Sequence, residues 1–179
     1  MKIFLSILLA LAMLLSLVAC GDGGKESKGN TYRDVVEEAM KALEERSEEK
    51  FAKLISDALT EEYAEILAED CVDEFEYYEI KKMKGWEISD NYEYDEYDLE
   101  KYVNELEESF DGLREVYDED DIEDMGINNN YKVSNIKGYV ELEITAEVED
   151  ENGDKYERLF EFELVKEGST WKIINMYIY

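Results

Sequence analysis

The sequence predicts an α+β domain in which N-terminal helices pack on a curved, mainly antiparallel sheet formed by the C-terminal part of the chain. Two patterns support this prediction. Apolar residues recur at helical spacing from Tyr32 to Phe75 and again from Leu99 to Leu113, whereas apolar and acidic residues alternate from Tyr139 onward. The first pattern is typical of amphipathic helices, and the second is typical of strands with one buried face.

The first twenty residues have the features of a bacterial secretion signal. Lys2 supplies a positive start, residues 3–18 are apolar except for two serines, and Leu17-Val18-Ala19-Cys20 closes the segment. This ending resembles the lipobox of bacterial lipoproteins, in which the cysteine receives a diacylglycerol, often with palmitate chains, and the peptide is cut before it. The resemblance implies a signal peptide over residues 1–19 and a lipid anchor at Cys20, on the extracytoplasmic side of the bacterial cell membrane. The alternative is an uncleaved transmembrane helix, which needs roughly 20 apolar residues.

Downstream of the signal, the chain is predicted to consist of a short tether and one domain. Residues 20–30 are rich in glycine and polar residues and contain nothing to pack, so we predict a flexible linker. Residues 31–179 are assigned to a single domain, because their number suits one hydrophobic core. Thr31 has the features of a helix cap, and the apolar stripe after it predicts a helix that continues to about Leu59.

Two further helices are predicted before the meander. Thr60 begins the first of them, and its apolar face includes Ile66 and Cys71. We therefore expect Cys71 to be a small buried core residue and not a nucleophile. Asp98 is predicted to cap the other helix, which ends in an acidic connector at residues 118–124. All the helices are expected to cover one face of the sheet.

The C-terminal part of the chain is predicted to be an antiparallel meander. Apolar and acidic residues alternate along residues 139–149, and the dipeptide Asn152-Gly153 then gives the strongest short signal for a hairpin turn. A second glycine turn precedes the last strand, and a fourth strand is expected at residues 131–136. Helical spacing is lost over residues 77–94, which leaves two interpretations open, a two-stranded hairpin or one bent strand.

Composition excludes several classes of function. The chain has 48 acidic and 19 basic residues and a formal net charge of −29, so it should repel nucleic acid. It has no histidine, which excludes Ser-His-Asp triads, Cys-His pairs and histidine-bearing zinc sites. Two acidic stretches lack the glycine that a calcium-binding EF-hand loop requires. We therefore predict no metal, no cofactor and no nucleic-acid partner. The acidic surface fits a basic protein partner, although solubility alone is the simpler explanation.

The order of the predicted elements resembles that of one known family. Helix, helix, short strand segment, helix and meander, ending on Trp171-Lys172-Ile173, is similar to the cone-shaped, cystatin-like family of nuclear transport factor two, SnoaL-like proteins and ketosteroid isomerase. The resemblance implies a sheet curved around a long helix, with a pocket at the open end of the cone. Some members of the family are enzymes and many are binding or dimerising modules, so the fold does not decide between these functions.

Three residues are candidates for ligand binding. Arg158, Asn175 and Tyr177 fall in phase with apolar strand faces, and a few polar groups that converge in an apolar pocket are typical of binding sites. The alternative for Arg158 is that it reaches solvent or pairs with one of the many acidic residues. The register of the last strand stays open, because Ile174 and its alternate neighbours offer an opposite apolar face. No pattern indicates a catalytic residue.

These considerations leave three functional hypotheses. The first is a membrane-anchored extracytoplasmic lipoprotein whose domain binds a small ligand or a protein. The second is an interaction or dimerisation module without a ligand pocket, which uses its sheet face as an interface, for example in a homodimer. The third is an isomerase- or hydrolase-like enzyme, although no motif allows catalytic residues to be assigned.

Overall fold

Helices cover an antiparallel sheet in the computed structural model, which describes residues 31–179. Four strands lie side by side in sequence order, and each neighbouring pair is antiparallel. The α+β class is therefore confirmed. The helices of this part of the chain are α1 (Tyr32–Glu44), α2 (Glu48–Ala52), α3 (Glu61–Tyr77), α4 (Glu96–Val116) and α5 (Glu119–Asp124). Its strands are β1 (Ile80–Glu93), β2 (Ile136–Asp150), β3 (Lys155–Glu167) and β4 (Thr170–Ile178).

The predicted first helix is divided into α1 and α2. It begins as expected with a capping box, in which Thr31 and Asp34 bond to each other's backbone N–H groups. The prediction that it continues to about Leu59 is wrong, because Arg46 adopts a left-handed φ of 51° and ends α1. An ion pair of 2.7 Å between Arg46 Nε and Glu76 ties this turn to α3. The break lets α2 insert Phe51, which is fully buried, into the core.

One face of the sheet, called the inner face here, packs against α1, α2 and α3. Along β2 the alternation predicted from the sequence holds, because every second residue from Val140 to Val148 is buried in this core. Phe160, Phe162 and Leu164 continue it on β3. Fully burying one such side chain contributes roughly 1.5–3 kcal/mol, so this layer is the main source of stability.

The opposite face of the sheet, called the outer face here, is covered at one end by α4. Leu106 and Phe110 of α4 form a second hydrophobic cluster with Tyr139 of β2 and Val165 of β3. The prediction that all helices cover one face is therefore wrong. Consecutive residues of β2 and β3 are buried at this end, Tyr139 with Val140 and Leu164 with Val165, so both faces of the sheet need a cover there. The rest of the outer face is not covered by α4.

The edge strand β1 lies within residues 77–94, for which the sequence allowed either a two-stranded hairpin or one bent strand. Residues 80–93 form one long strand with three irregularities in its register against β2, so the bent-strand interpretation is confirmed. The predicted strand at residues 131–136 is wrong, because Val133–Asn135 is a 3₁₀ turn and pairing begins only at Ile136. β2, β3 and β4 form the antiparallel meander that the sequence predicts.

The remaining local predictions concern a turn, a helix cap, the acidic connector and Cys71. The hairpin turn is confirmed, with Gly153 at a φ of 87°. Asp95, and not Asp98, caps α4, and the expected acidic connector contains the short helix α5. Cys71 is buried as expected, and burial raises the pKa of its thiol to about 12, so it stays protonated and unreactive at neutral pH. Among residues 31–179, none of the helices is long and apolar enough to span a bilayer.

Candidate functional site

A β-bulge in β4 decides which way two of the predicted ligand-binding residues point. Ile173 and Asn175 pair with adjacent residues of β3, so Ile174 is the extra residue of the bulge. The side chains of Ile173 and Asn175 consequently lie on opposite faces of the sheet, and Tyr177 shares the outer face with Asn175. Simple alternation predicts that Asn175 lies on the same face as Ile173. This prediction is wrong, because the bulge moves Asn175 to the opposite face and no sequence signal marks the bulge.

Arg158 lies on the inner face, away from the other two predicted residues. Its partner across the sheet is Ala146, which is fully buried. Its guanidinium group adjoins the rings of Tyr78 and Tyr156, where α3 passes into β1. The three candidates therefore do not form one site, and a role in ligand binding stays a prediction for each of them.

Asn175 and Tyr177 border a group of tyrosine and glutamate side chains on the outer face. We call this group the tyrosine–glutamate cluster; its members are Tyr94, Tyr102, Tyr139, Glu141, Glu163, Asn175 and Tyr177. Tyr139 donates a hydrogen bond of 3.0 Å to Glu163, and Tyr94 donates one of 3.1 Å to Glu141. The Asn175 amide donates to the Tyr177 hydroxyl at 2.6 Å. The ring centroids of Tyr94 and Tyr102 lie 4.5 and 4.4 Å from that of Tyr139, so the rings hold the hydroxyl groups in place.

The carboxyl groups of the cluster are in an unfavourable electrostatic environment. Burial raises the pKa of Glu163, the hydrogen bonds of Tyr139 and Asn175 oppose this shift, and the charge of Glu141 adds to it. The pKa of Glu141 is also raised, mainly by burial. The ion pairs described for residues 31–179 involve other carboxylates, such as Glu149. The cluster, beside a shallow pocket of about 220 Å³, therefore carries negative charge that no described ion pair neutralises.

Replacement of Glu163 by glutamine is expected to stabilise the fold at pH 7. Because the folded-state pKa of Glu163 is raised, its carboxyl group favours folding below its ordinary pKa of 4.5, and this contribution is lost as the pH rises through the raised value. The amide can still accept from Tyr139 but never ionises. Urea unfolding at several pH values should give a higher free energy of unfolding for Glu163→Gln than for wild type at pH 7. Above pH 4.5, this free energy should fall less steeply with pH in the variant than in wild type.

The control is Glu157→Gln, because Glu157 lies exposed on the same strand and the same face. Both variants remove one negative charge from an acidic chain, so general repulsion falls equally in the two. An equal gain for both variants, or a loss for Glu163→Gln at pH 7, would contradict the proposed cost of burying Glu163.

A larger concavity lies on the helical side of the molecule, between α2 and the first half of α3. It measures about 980 Å³ and is open to solvent, and we call it the α2–α3 cleft. The apolar part of its lining, which we call the floor, consists of Ala52, Ile55, Leu59, Ala64 and Ile66. The acidic part, which we call the rim, consists of Glu48, Glu49, Asp57, Glu61, Glu62, Glu65 and Glu69.

The two lysines that line the α2–α3 cleft have partners within the domain. Lys53 Nζ lies 2.6 Å from the Glu49 carboxylate, and Lys172 Nζ donates a hydrogen bond of 2.8 Å to the Lys53 carbonyl oxygen. The acidic residues of the rim outnumber them, so the charge of the cleft is strongly negative. Ile66 is 44% exposed in the cleft, so its predicted place on the buried face of α3 is wrong.

The segment between α2 and α3 is held rigidly in place by hydrogen bonds. Thr60 N–H donates to the Gly126 carbonyl oxygen at 2.9 Å, and the Asn128 side chain donates to the Asp57 carbonyl oxygen at 2.9 Å. The buried Ser56 hydroxyl bonds to a β3 carboxylate. The cleft is therefore pre-formed, which lowers the entropic cost of binding.

Sequence reasoning missed the α2–α3 cleft, because its lining comes from segments that are far apart in the chain. One local signal was present in α3, where the residues at helical spacing from Ile66 include the acidic Glu62, Glu69 and Asp70. No comparable signal links α2 to Asn128 or Lys172. Among residues 31–179, no three cysteine or acidic side chains converge in a way that would hold a metal ion.

Comparisons of the chain with protein-family models, with curated proteins and with solved structures gave no match. The segment that resembles a lipobox lies within residues 1–30, outside the described residues, so lipid anchoring stays a prediction. The resemblance to the cone-shaped family also stays a prediction, because the confirmed α+β class is common to many unrelated families.

Proposed function

We propose that this chain is a lipoprotein of the bacterial cell membrane, anchored through Cys20, whose extracytoplasmic domain binds a basic segment of a partner protein in the α2–α3 cleft. The observation that supports binding is the combination of an apolar floor with an acidic rim. The observation that supports anchoring is the lipobox-like ending of residues 1–20, followed by a tether without apolar residues.

An amphipathic helix with lysine or arginine on its polar face matches both parts of the cleft. Its apolar side chains would cover Ile66 and the rest of the floor, which is the usual mode of helix-in-groove recognition. Its basic side chains would meet Glu65, Glu69 and the other acidic residues of the rim. The net charge of −29 would also attract such a partner over a distance and accelerate its association at low ionic strength.

The same charge argues against other occupants of the cleft. A second copy of the chain, a nucleic acid or an anionic lipid surface would each bring negative charge to an acidic rim. A neutral small molecule would leave the rim unneutralised, and the cleft is wider open than a typical small-molecule site, which buries most of its ligand. A basic protein segment is therefore the occupant whose chemistry fits best.

The test uses residues 25–179, which contain both hydrophobic clusters, and a model amphipathic helix made only of leucine and lysine. Wild-type protein should bind this probe with an affinity that falls as salt is added. Glu65→Lys/Glu69→Lys and Ile66→Asp should each weaken binding at least about tenfold, which corresponds to about 1.4 kcal/mol. Isothermal titration calorimetry at two salt concentrations measures both effects.

Matched controls separate the cleft from general charge and polarity. Glu100→Lys/Glu108→Lys makes the same charge change on exposed positions of α4, and Val116→Asp places a charge on another exposed apolar residue. These controls should bind within about twofold of wild type. If the α4 pair weakens binding as much as the cleft pair, the interaction is nonspecific attraction and the proposal is wrong.

A further inference from the structure

Arg158 lies near the start of β3 on the inner face of the sheet, where two aromatic rings hold its side chain. Its guanidinium carbon lies 4.6 Å from the ring centroid of Tyr78 and 4.7 Å from that of Tyr156, both within cation–π distance. The Tyr156 hydroxyl donates a hydrogen bond of 2.8 Å to the Tyr78 carbonyl oxygen, which fixes the two tyrosines relative to each other. The guanidinium group is therefore pre-positioned.

Within residues 31–179, no carboxylate forms an ion pair with Arg158. Its Nε is buried and has no hydrogen-bond partner in this part of the chain, whereas Arg46 pairs with Glu76 and Arg114 pairs with Asp111. The chain contains 48 acidic residues, so a shortage of carboxylates does not explain the difference. Because Nε is buried, an external carboxylate would bind the two terminal nitrogens of the guanidinium group, which form no hydrogen bond or ion pair within residues 31–179.

A residue in the left-handed conformation ends α3 beside this arginine. Glu79 directly follows Tyr78 and adopts a φ of 55°, a left-handed conformation that is rare for a residue other than glycine. This residue turns the chain from α3 into β1 and so sets the position of Tyr78. Arg46 ends α1 in the same conformation, so Glu79 acts as a helix ending that fixes the position of Tyr78 beside Arg158.

We infer that Arg158 is the anion-binding group of a separate site, which takes a small organic carboxylate. The planar fork of a guanidinium group matches the two oxygens of a carboxylate. Tyr77 is 80% exposed and its ring lies 5.5 Å from that of Tyr78, so an aromatic surface adjoins the arginine and suits the apolar body of such a ligand. A doubly charged inorganic phosphate has no apolar body and is repelled more strongly by an acidic protein.

This site is independent of the proposed function. Arg158 lies at the C-terminal end of α3, whereas the α2–α3 cleft lies along its first half. The helix has 17 residues, so its two ends are about 25 Å apart at 1.5 Å per residue. Neither inference depends on the other.

The experiment uses the full chain in a nonionic detergent and benzoate as the probe. Benzoate should raise the thermal unfolding temperature saturably, because it binds only the folded state, while acetate should act weakly and phosphate or chloride at equal ionic strength should not. Arg158→Lys keeps the positive charge but removes the fork, so it should lower the benzoate affinity at least about tenfold.

Tyr77→Ala provides a second test in a variant that folds. The side chain is mostly exposed, so its loss should leave the unfolding temperature without ligand unchanged and weaken benzoate binding several-fold. The inference is wrong if benzoate gives no saturable shift with wild type. It is also wrong if Arg158→Lys binds benzoate as well as wild type does, since Arg158 would then serve only to pack Tyr78 and Tyr156.

Discussion

Replacement of Gly126 by alanine is expected to lower the free energy of unfolding by about 2–5 kcal/mol. Gly126 has a φ of 80°, a conformation that is unfavourable for any residue with a Cβ. An added Cβ would lie 2.3 Å from Cγ and from Cδ2 of the Tyr63 ring, far inside van der Waals contact. Backbone strain costs about 1–2 kcal/mol and overpacking costs about 1–3 kcal/mol, so the two effects together exceed either alone.

The control for this prediction is Gly153→Ala. Gly153 has a similar φ of 87°, but an added Cβ would meet nothing within 4 Å, so only the backbone cost applies. Urea unfolding of both variants separates steric clash from backbone strain. Equal losses in the two variants would contradict the predicted contact between Gly126 and Tyr63.

The Gly126 substitution also bears on the cleft. The Gly126 carbonyl oxygen accepts the hydrogen bond from Thr60 N–H at the start of α3, and Tyr63 lies one turn further along this helix. Relief of the clash would displace the first turn of α3, which carries part of the acidic rim. We therefore expect Gly126→Ala to weaken probe binding even at temperatures where the domain is folded.

Replacement of Cys20 by serine is expected to abolish lipid attachment completely. The thiol is the acceptor of the diacylglycerol in the lipobox resemblance, and a serine hydroxyl does not replace it. Each buried CH₂ of an acyl chain contributes about 0.8 kcal/mol to membrane binding, so two or more chains hold a protein durably on a bilayer. Labelled palmitate should enter the wild-type chain and not Cys20→Ser, and the variant should leave the detergent phase on partitioning.

Cys71→Ser is the matched control for the anchor. It removes the other cysteine of the chain, which is buried in the core on α3. Its palmitate label and its detergent partitioning should equal those of wild type. Labelling of Cys20→Ser at the wild-type level would contradict the anchor.

The sequence predicted the parts of the fold that depend on local patterns. Caps such as Thr31, the alternation along β2 and the hairpin at Gly153 each involve neighbouring residues, and all three are confirmed. The position of α4 was not predictable in this way. An amphipathic pattern indicates that a helix packs on an apolar surface, but it does not indicate which face of the sheet supplies that surface. Its apolar residues pack on an outer-face patch that includes Val165, whose burial depends on strand register.

The candidate site was harder to predict than the fold, for two physical reasons. The bulge at Ile174 shifts the alternation of the last strand by one residue, so Asn175 and Tyr177 lie on the outer face and not on the face of Ile173. No glycine or proline marks this bulge in the sequence. The α2–α3 cleft depends on the break at Arg46, where a bulky residue adopts a conformation that the sequence does not favour. Tertiary contacts, such as the ion pair with Glu76, override local preference there.

The most direct test of the account is to locate the bound basic helix by isoleucine-methyl NMR of residues 25–179. Addition of the leucine–lysine probe should shift the methyl signals of Ile55 and Ile66, which line the α2–α3 cleft. The signals of Ile88 on β1 and Ile174 on β4 lie outside the cleft and should not move. If instead Ile174 shifts while Ile66 is unchanged, the helix binds the outer face near the tyrosine–glutamate cluster, and the proposed binding site is wrong.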